Sequence, residues 1–380
     1  MSQHKPMGGR VLTLPFLLFT TLAIIAIVLL AGRFANGLGS VTNLNNGYPW
    51  GIWVVMDIVI GTAFACGGYA LALVVYVANK GRYHPLMRPA ILASLLGYSL
   101  GGAAAFIDMG RYWNFYHMFM PSAVNLNSVM LEVGLCVSAY IIVLFIEFAP
   151  TLTQKFKMKG LEDTLNKVLF VFTALGMLLP TMHQSSLGSL LIALGGKVDP
   201  LWQAAEMLPL LFLITAITMG FSIVVFEGSL STMRFRLPSE VPLFERLAGI
   251  IVALLGAYLV LRFGELLVNG KLGNAFSGDT RSLMFWFENI LFVIPIVVMA
   301  SKSNRRSPRL LFLAAISMLL AASVYRINAF LVGFNAPAGY QYFPSASEIM
   351  ITVGMFSIEI LVFVYLVKRF PVIHKTEAHA

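Results

Sequence analysis

Ten apolar stretches recur along this chain, at about 11–31, 52–78, 88–108, 128–148, 164–182, 207–227, 243–268, 282–300, 309–332 and 347–369. A bilayer core about 30 Å thick needs about 20 apolar residues in a helix, and only helices or closed barrels satisfy every backbone polar group in hydrocarbon. The expected fold class is therefore all-α integral membrane, with about ten transmembrane helices. Composition agrees: 58% of the 380 residues are hydrophobic and 11% charged, with mean hydropathy +0.83, whereas soluble domains carry about 25% charge. No long polar stretch interrupts the series, so residues 1–380 read as a single membrane domain.

The basic residues report orientation. Seventeen Lys and Arg fall in one alternating set of connections, while Arg33, Arg111, Lys197, Lys271 and Arg281 are the five in the other. Positive-inside sorting then puts both termini in the cytoplasm and requires an even number of spans. The net charge of +9 is spread over short caps, which argues against a nucleic-acid surface. The opening MSQHKPMGGR followed by a full-length apolar run predicts a signal-anchor helix rather than a cleaved leader. Connections on the outer side are longer and rich in Gly, Asn and aromatics, so function is expected there. Within them, Ser185 to Gly196 is apolar but too short to cross and predicts an interfacial or re-entrant helix. Tyr48, Trp50, Tyr112, Trp113 and Trp202 fit an interfacial aromatic belt.

Ionisable residues in hydrocarbon cost about 2.5–3.5 kcal/mol each on insertion scales and therefore mark function. Asp57 lies about five residues into the second stretch; Asp108, Arg111 and Tyr112 close the third, Glu132 opens the fourth, and His183 and Gln184 close the fifth. All fall at one outer level. Asp108 and Arg111, one turn apart, equally suit a structural ion pair. Titratable groups beside apolar walls suit a quinone, whose carbonyls take protons as the ring is reduced, so Asp57 and His183 are expected to meet around such a ring. A weak internal repeat pairs Glu132 with Glu288, Asp108 and Arg111 with Arg262 and Glu265, and His183 with Arg326. It predicts two four-helix bundles, 52–182 and 207–332, with peripheral helices 11–31 and 347–369. Arg262, Glu265, Glu288, Arg326 and the deeper Glu359 are candidates for a proton path.

Redox equipment looks sparse. A spanning b-type haem normally needs a facing pair of axial ligands, yet His183 is the only one of six histidines near a span. No haem is therefore expected. Cys66 and Cys136 both lie in apolar runs, so neither a disulfide nor a metal site is expected.

The strings GYPWGIWVVMDIVIGTAFACGGYALA (47–72), HPLMRPAILASLLGYSLGG (84–102), IDMGRYWN (107–114) and LLPTMHQSSLGSL (178–190) resemble one family closely. So do DPLWQAAEMLPL (199–210), FSIVVFEGSL (221–230), LRFGELL (261–267) and YQYFPSASE (340–348). The chain is similar to the cytochrome-b-named integral membrane subunits of hydrogenase-2 type nickel–iron hydrogenases, within the wider polysulfide-reductase membrane-subunit, NrfD-like, family. That resemblance implies two four-helix bundles without a cofactor of their own, and a menaquinone or ubiquinone site near the periplasmic face of a bacterial inner membrane. It implies a periplasmic ferredoxin-like iron–sulfur partner, and nickel–iron hydrogenase large and small subunits, the small one with a membrane anchor. The nickel–iron centre and the iron–sulfur clusters would then reside in those partners. The expected function is the quinone-reducing subunit of a hydrogen:quinone oxidoreductase, with proton translocation as a possible coupled activity. The rivals are a secondary transporter, suggested by the repeat, and a passive membrane anchor of the hydrogenase.

Overall fold

The protein is represented by a computed structural model that describes residues 4–204, 206–235 and 241–374. Among the described residues ten helices are long and apolar enough to cross a membrane. They are α1 (Leu14–Asn36), α2 (Val54–Val77), α3 (Gly81–Asp108), α4 (Val129–Phe156), α5 (Lys159–Lys197), α6 (Leu208–Leu230), α7 (Val241–Val268), α8 (Thr280–Ala300), α9 (Pro308–Val332) and α10 (Ala346–Arg369). Two short strands, β1 (His4–Lys5) and β2 (Ile373–His374), pair antiparallel and hold the two ends of the described chain together, as an even number of spans demands.

Polar caps set where several helices begin. Ser128, Asp279 and Ser307 accept bonds from Leu131 N, Ser282 N and Leu310 N to start α4, α8 and α9, each satisfying an amide that a first helical turn leaves without a partner. The bond from Ser282 N also holds the Asp279 carboxyl below its ordinary range. Ser345 and Glu348 form a reciprocal capping box on α10.

Packing places α2 at the centre. It is the most enclosed span, with 83% of its apolar window buried, and it packs against α3, α6 and α9. Helices α3, α4 and α5 pack in sequence, α6 contacts α5, α7 and α9, and α8 lies between α7 and α9. Helix α1 pairs with α10, which in turn rests on α3. Small residues allow the close approaches: a Cβ at Gly97 would stand 2.7 Å from the Ala65 methyl, and one at Gly101 would stand 3.2 Å from the Asp57 carbonyl oxygen.

Two features depart from expectation. Ser185 to Gly196 forms no separate re-entrant helix, because α5 runs unbroken as an α-helix from Lys159 to Leu194, through Pro180. Thirty-six residues span about 54 Å at the usual rise, so the helix continues well past a hydrocarbon core, and its last turns, apolar on one side, bury Leu187 and Leu191 in the protein. The second departure is in α2 and α9, where Val54–Ile60 and Asn328–Val332 are wound as π-helix. Five of the seven residues in the first segment are Val or Ile, whose branching weakens the preference for a tight α turn.

A Cβ at Gly220 of α6 would overlap the backbone carbonyl of Cys66 on α2. Backbone does not yield as a flexible side chain does, so Gly220→Ala should lower stability by about 1–3 kcal/mol through overpacking. Thermal unfolding of the purified chain in detergent checks this; an unchanged midpoint would mean that α2 and α6 do not meet there.

Candidate functional site

The most heavily bonded group in the interior is the guanidinium of Arg326 on α9, which is fully buried. Its Nε donates to Val59 O at 3.0 Å, Nη1 to Thr215 Oγ1 at 3.1 Å and Nη2 to Gln184 Oε1 at 3.2 Å. The Phe212 ring covers one face with its centroid 5.1 Å from the guanidinium carbon. Val59 lies in the π-wound part of α2, where wider turns free carbonyls for outside partners. Gln184 passes the network onward, its Nε2 donating to Thr62 Oγ1 at 3.1 Å, and His183 Nε2 stands 3.0 Å from the same oxygen. Helices α2, α5, α6 and α9 thus meet in one polar cluster.

Proton inventory assigns the His183 tautomer. The single Thr62 hydroxyl proton is committed to Ile58 O at 2.6 Å, so Thr62 Oγ1 accepts from both Gln184 and His183. His183 then carries its proton on Nε2, and Nδ1 is a bare acceptor. That Nδ1 is buried and has no hydrogen-bond partner. Tyr98 meets the ring edge-on at 5.9 Å.

A second cluster lies among α7, α8 and α9. Arg262 Nη2 pairs with Glu288 Oε1 at 2.8 Å, with both side chains at most 1% exposed. Trp202 Nε1 donates to Glu288 Oε2 at 3.0 Å and Asn328 Nδ2 donates to the same oxygen at 2.6 Å. The Tyr325 and Phe285 rings stand against the Arg262 guanidinium, with centroids at 4.7 and 5.3 Å. The corresponding first-half positions, Asp108 and Glu132, are both acidic and form no such pair, and Asp108 and Arg111 are absent from the ion pairs of the described residues.

Asp57 and His183 do not meet, contrary to expectation. Asp57 is fully buried and points to α10, where Thr352 Oγ1 approaches Oδ2 at 3.4 Å while Oδ1 has no partner. His183 instead faces Thr62, five residues further along α2. Nor do Arg111 and Glu132 join a buried cluster, since both are exposed; position along a span said nothing about which side of the helix they occupy. Tyr112 packs edge-on against Phe34 at 5.0 Å and lies under Arg33. Glu359 approaches the Gly97 position on α3, and Glu265 pairs with Lys271.

Several structural residues gave no signal in the sequence. Arg33, counted among the loop cations, is buried and caps α3 by donating to Ile107 O at 2.8 Å and to Met109 O. Trp50 and Trp202 are buried rather than belted, and of the five aromatics Trp113 alone is largely exposed, at 60%. Glu348 fastens three segments, accepting from Asn43 N at 2.9 Å, Ser345 N at 2.7 Å and Tyr342 Oη at 2.7 Å. Burial, and next its bond to Glu348, push the Tyr342 phenol above its ordinary range, so it stays a donor while its oxygen accepts from Ile52 N.

Ten apolar spans around buried ion-bonded polar clusters define a multi-pass membrane protein. The chain belongs to the polysulphide reductase, NrfD, family, whose pattern matches residues 40–337. It is 49% identical over 371 residues to the probable Ni/Fe-hydrogenase 2 b-type cytochrome subunit of Escherichia coli K12, covering 97% of this chain and 95% of that one. A protein of Nitratidesulfovibrio vulgaris is 29% identical over 384 residues, 98% of each chain. The menaquinone reductase integral membrane subunit of the same organism is 25% identical over 173 residues, 43% of this chain and 39% of that one. The family resemblance carried by the motifs is therefore confirmed.

The Escherichia coli name also corrects one expectation. A b-type cytochrome subunit implies haem in that relative, which overturns the reading, made from histidine count alone, that no haem belongs with such a chain. The arrangement of the described side chains does not supply a facing pair of imidazoles for a spanning haem: His183 Nε2 is engaged by Thr62, and His84 is exposed at the start of α3.

Removing one partner of a buried ion pair strands the other charge, at a cost of about 3–5 kcal/mol. Arg262→Met should therefore destabilise the protein by that amount, and adding Glu288→Met should recover most of it. Denaturant midpoints of the two variants in detergent decide; equal losses would show that Glu288 is sustained by Trp202 and Asn328 without the arginine.

Proposed function

We propose that this chain is the quinone-reducing membrane subunit of a hydrogen:quinone oxidoreductase, seated in a bacterial inner membrane with its long-loop end toward the periplasm. Two relatives support the assignment, one named for a Ni/Fe-hydrogenase and one for menaquinone reductase. The excess of Lys and Arg on the opposite connections supports the orientation. The carrying observation is the unpartnered Nδ1 of buried His183, an acceptor fixed in place by its bond to Thr62.

A nickel–iron partner splits hydrogen into two electrons and two protons, and the electrons reach the long-loop end through an iron–sulfur partner. A menaquinone or ubiquinone substrate takes up two electrons and two protons to become quinol. Its polar ring lies beside Nδ1, while Leu178 and Met182, both exposed on α5, admit the lipid phase within about a turn of His183. A proton taken up on Nδ1 passes to a ring oxygen as the electrons arrive, returning the imidazole to its neutral form. Arg326, aligned through Gln184, stabilises negative charge developing on the ring without having to reorganise. The second proton comes by way of Asp57, which faces α10 with Oδ1 unpartnered and passes it on rather than touching the ring, and Asp108 and Tyr112 tune that entry. Arg111 and Glu132, being exposed, serve proton entry from water. Arg326, the Arg262 and Glu288 pair, and Glu359 form a route by which turnover is coupled to proton movement.

His183→Phe should lower hydrogen-to-quinone turnover about 100-fold or more, the usual scale of a lost acid–base group. Hydrogen oxidation with an artificial dye should be unchanged, since it bypasses the membrane subunit. Both rates are measured on the assembled complex. Undiminished quinone reduction would leave the chain as a passive anchor.

A further inference from the structure

At the long-loop end of α7, away from His183, a cavity of about 420 Å³ opens beside the start of α6, within the size range of small-molecule sites. Val260, Gly264, Glu265 and Val268 line it from α7, with Glu206 and Lys271 from the adjoining segments. Val260 and Val268 are 73% and 85% exposed, as befits a wall shared with lipid. The polar floor is different. Glu265, with 8% of its side chain exposed, accepts on Oε1 from Lys271 Nζ and from Asn269 Nδ2, each at 2.8 Å. Its Oε2 is buried and has no partner. Lys271 Nζ also donates to Gln203 O, which leaves one of its three ammonium protons uncommitted.

We propose that this cavity is a headgroup site for a phospholipid bearing a primary ammonium. A buried carboxylate oxygen is costly without a donor, and the open side of the cavity is where a donor enters. An ammonium supplies N–H to Glu265 Oε2 and neutralises Glu206, the phosphate accepts the remaining proton of Lys271, and the acyl chains run along Val260 and Val268. The lining carries two carboxylates against one ammonium, so a purely anionic headgroup adds charge of the wrong sign. A choline headgroup has the right charge but no N–H to give. The site is independent of the quinone reading, and it gives Glu265 a binding role in place of one in proton transfer.

The test is native mass spectrometry of the detergent-purified full chain, titrated with phosphatidylethanolamine, phosphatidylcholine and phosphatidylglycerol of equal acyl composition. The ethanolamine lipid should bind about tenfold more tightly than the choline lipid, the scale of one hydrogen bond to a charged group. Glu265→Gln should erase that preference. Gly264→Leu gives an independent arm, because a Cβ there meets no atom within 4 Å and the leucine fills the cavity without disturbing the fold; it should also remove the preferential binding. Equal affinities for the ethanolamine and choline lipids in the wild-type chain would overturn the proposal. So would a preference that survives Gly264→Leu, or displacement of the ethanolamine lipid by a short-chain quinol, which would make the cavity a quinol site.

Discussion

A guanidinium buried among apolar spans is costly unless its donors are answered, and Arg326 of α9 imposes that demand on three other helices at once. Val59 O, Thr215 Oγ1, Met219 Sδ, Gln184 Oε1 and Phe212 O accept from it, and the Phe212 ring covers one face. They come from α2, α5 and α6, and together they fix how these helices and α9 stand relative to one another. The π-wound turn of α2 contributes to this arrangement, since a regular α-helix would engage the Val59 carbonyl within its own ladder. The same contact orders the catalytic candidate: Arg326 orients Gln184, Gln184 occupies Thr62, and Thr62 thereby determines which nitrogen of His183 is left bare.

Helix α9 joins the two buried clusters. Arg326 faces the α2 and α5 side, while Asn328, two residues on, reaches the carboxylate of Glu288. Any motion of α9 therefore acts on both, which gives the proposed coupling a mechanical basis without requiring a direct hydrogen-bonded wire between them. At the long-loop end, Glu348 and Tyr342 tie the segment before α2 to the start of α10, so the loops of that end are joined to the helices beneath them.

The spans were legible because a bilayer imposes one length on every crossing helix. Buried charges such as Asp57, Arg262, Glu288 and Arg326 stood out for the same reason: nothing else in an apolar run resembles them. Facing was another matter. Asp57, Arg111, Glu132 and His183 read as one level from their places along the spans, yet Asp57 turns to Thr352, His183 to Thr62 and the other two outward. Local π winding changes that facing and has no clear signature in sequence. Thr62 and Asn328 gave no signal because uncharged polar residues are ordinary in spans, and Trp202 read as a belt aromatic; only their contacts reveal them. The haem expectation failed differently, because counting one ligand type is too narrow a basis for excluding a cofactor.

The pairing of α1 with α10 bears on how the molecule is made. Only 11% of the apolar window of α1 is buried, and much of its contact is with the last span, where Gly354 lets the Ala26 methyl come against its backbone. During synthesis α1 enters the bilayer first and then waits, surrounded by lipid, while eight further helices insert. Its partner arrives last, so the circle of helices closes in a single terminal event. A ribosome that stalls before Ala346 would leave α1 anchored at its Arg33 end, where it caps α3, with the rest of its length facing lipid, a half-partnered span that membrane quality control can recognise.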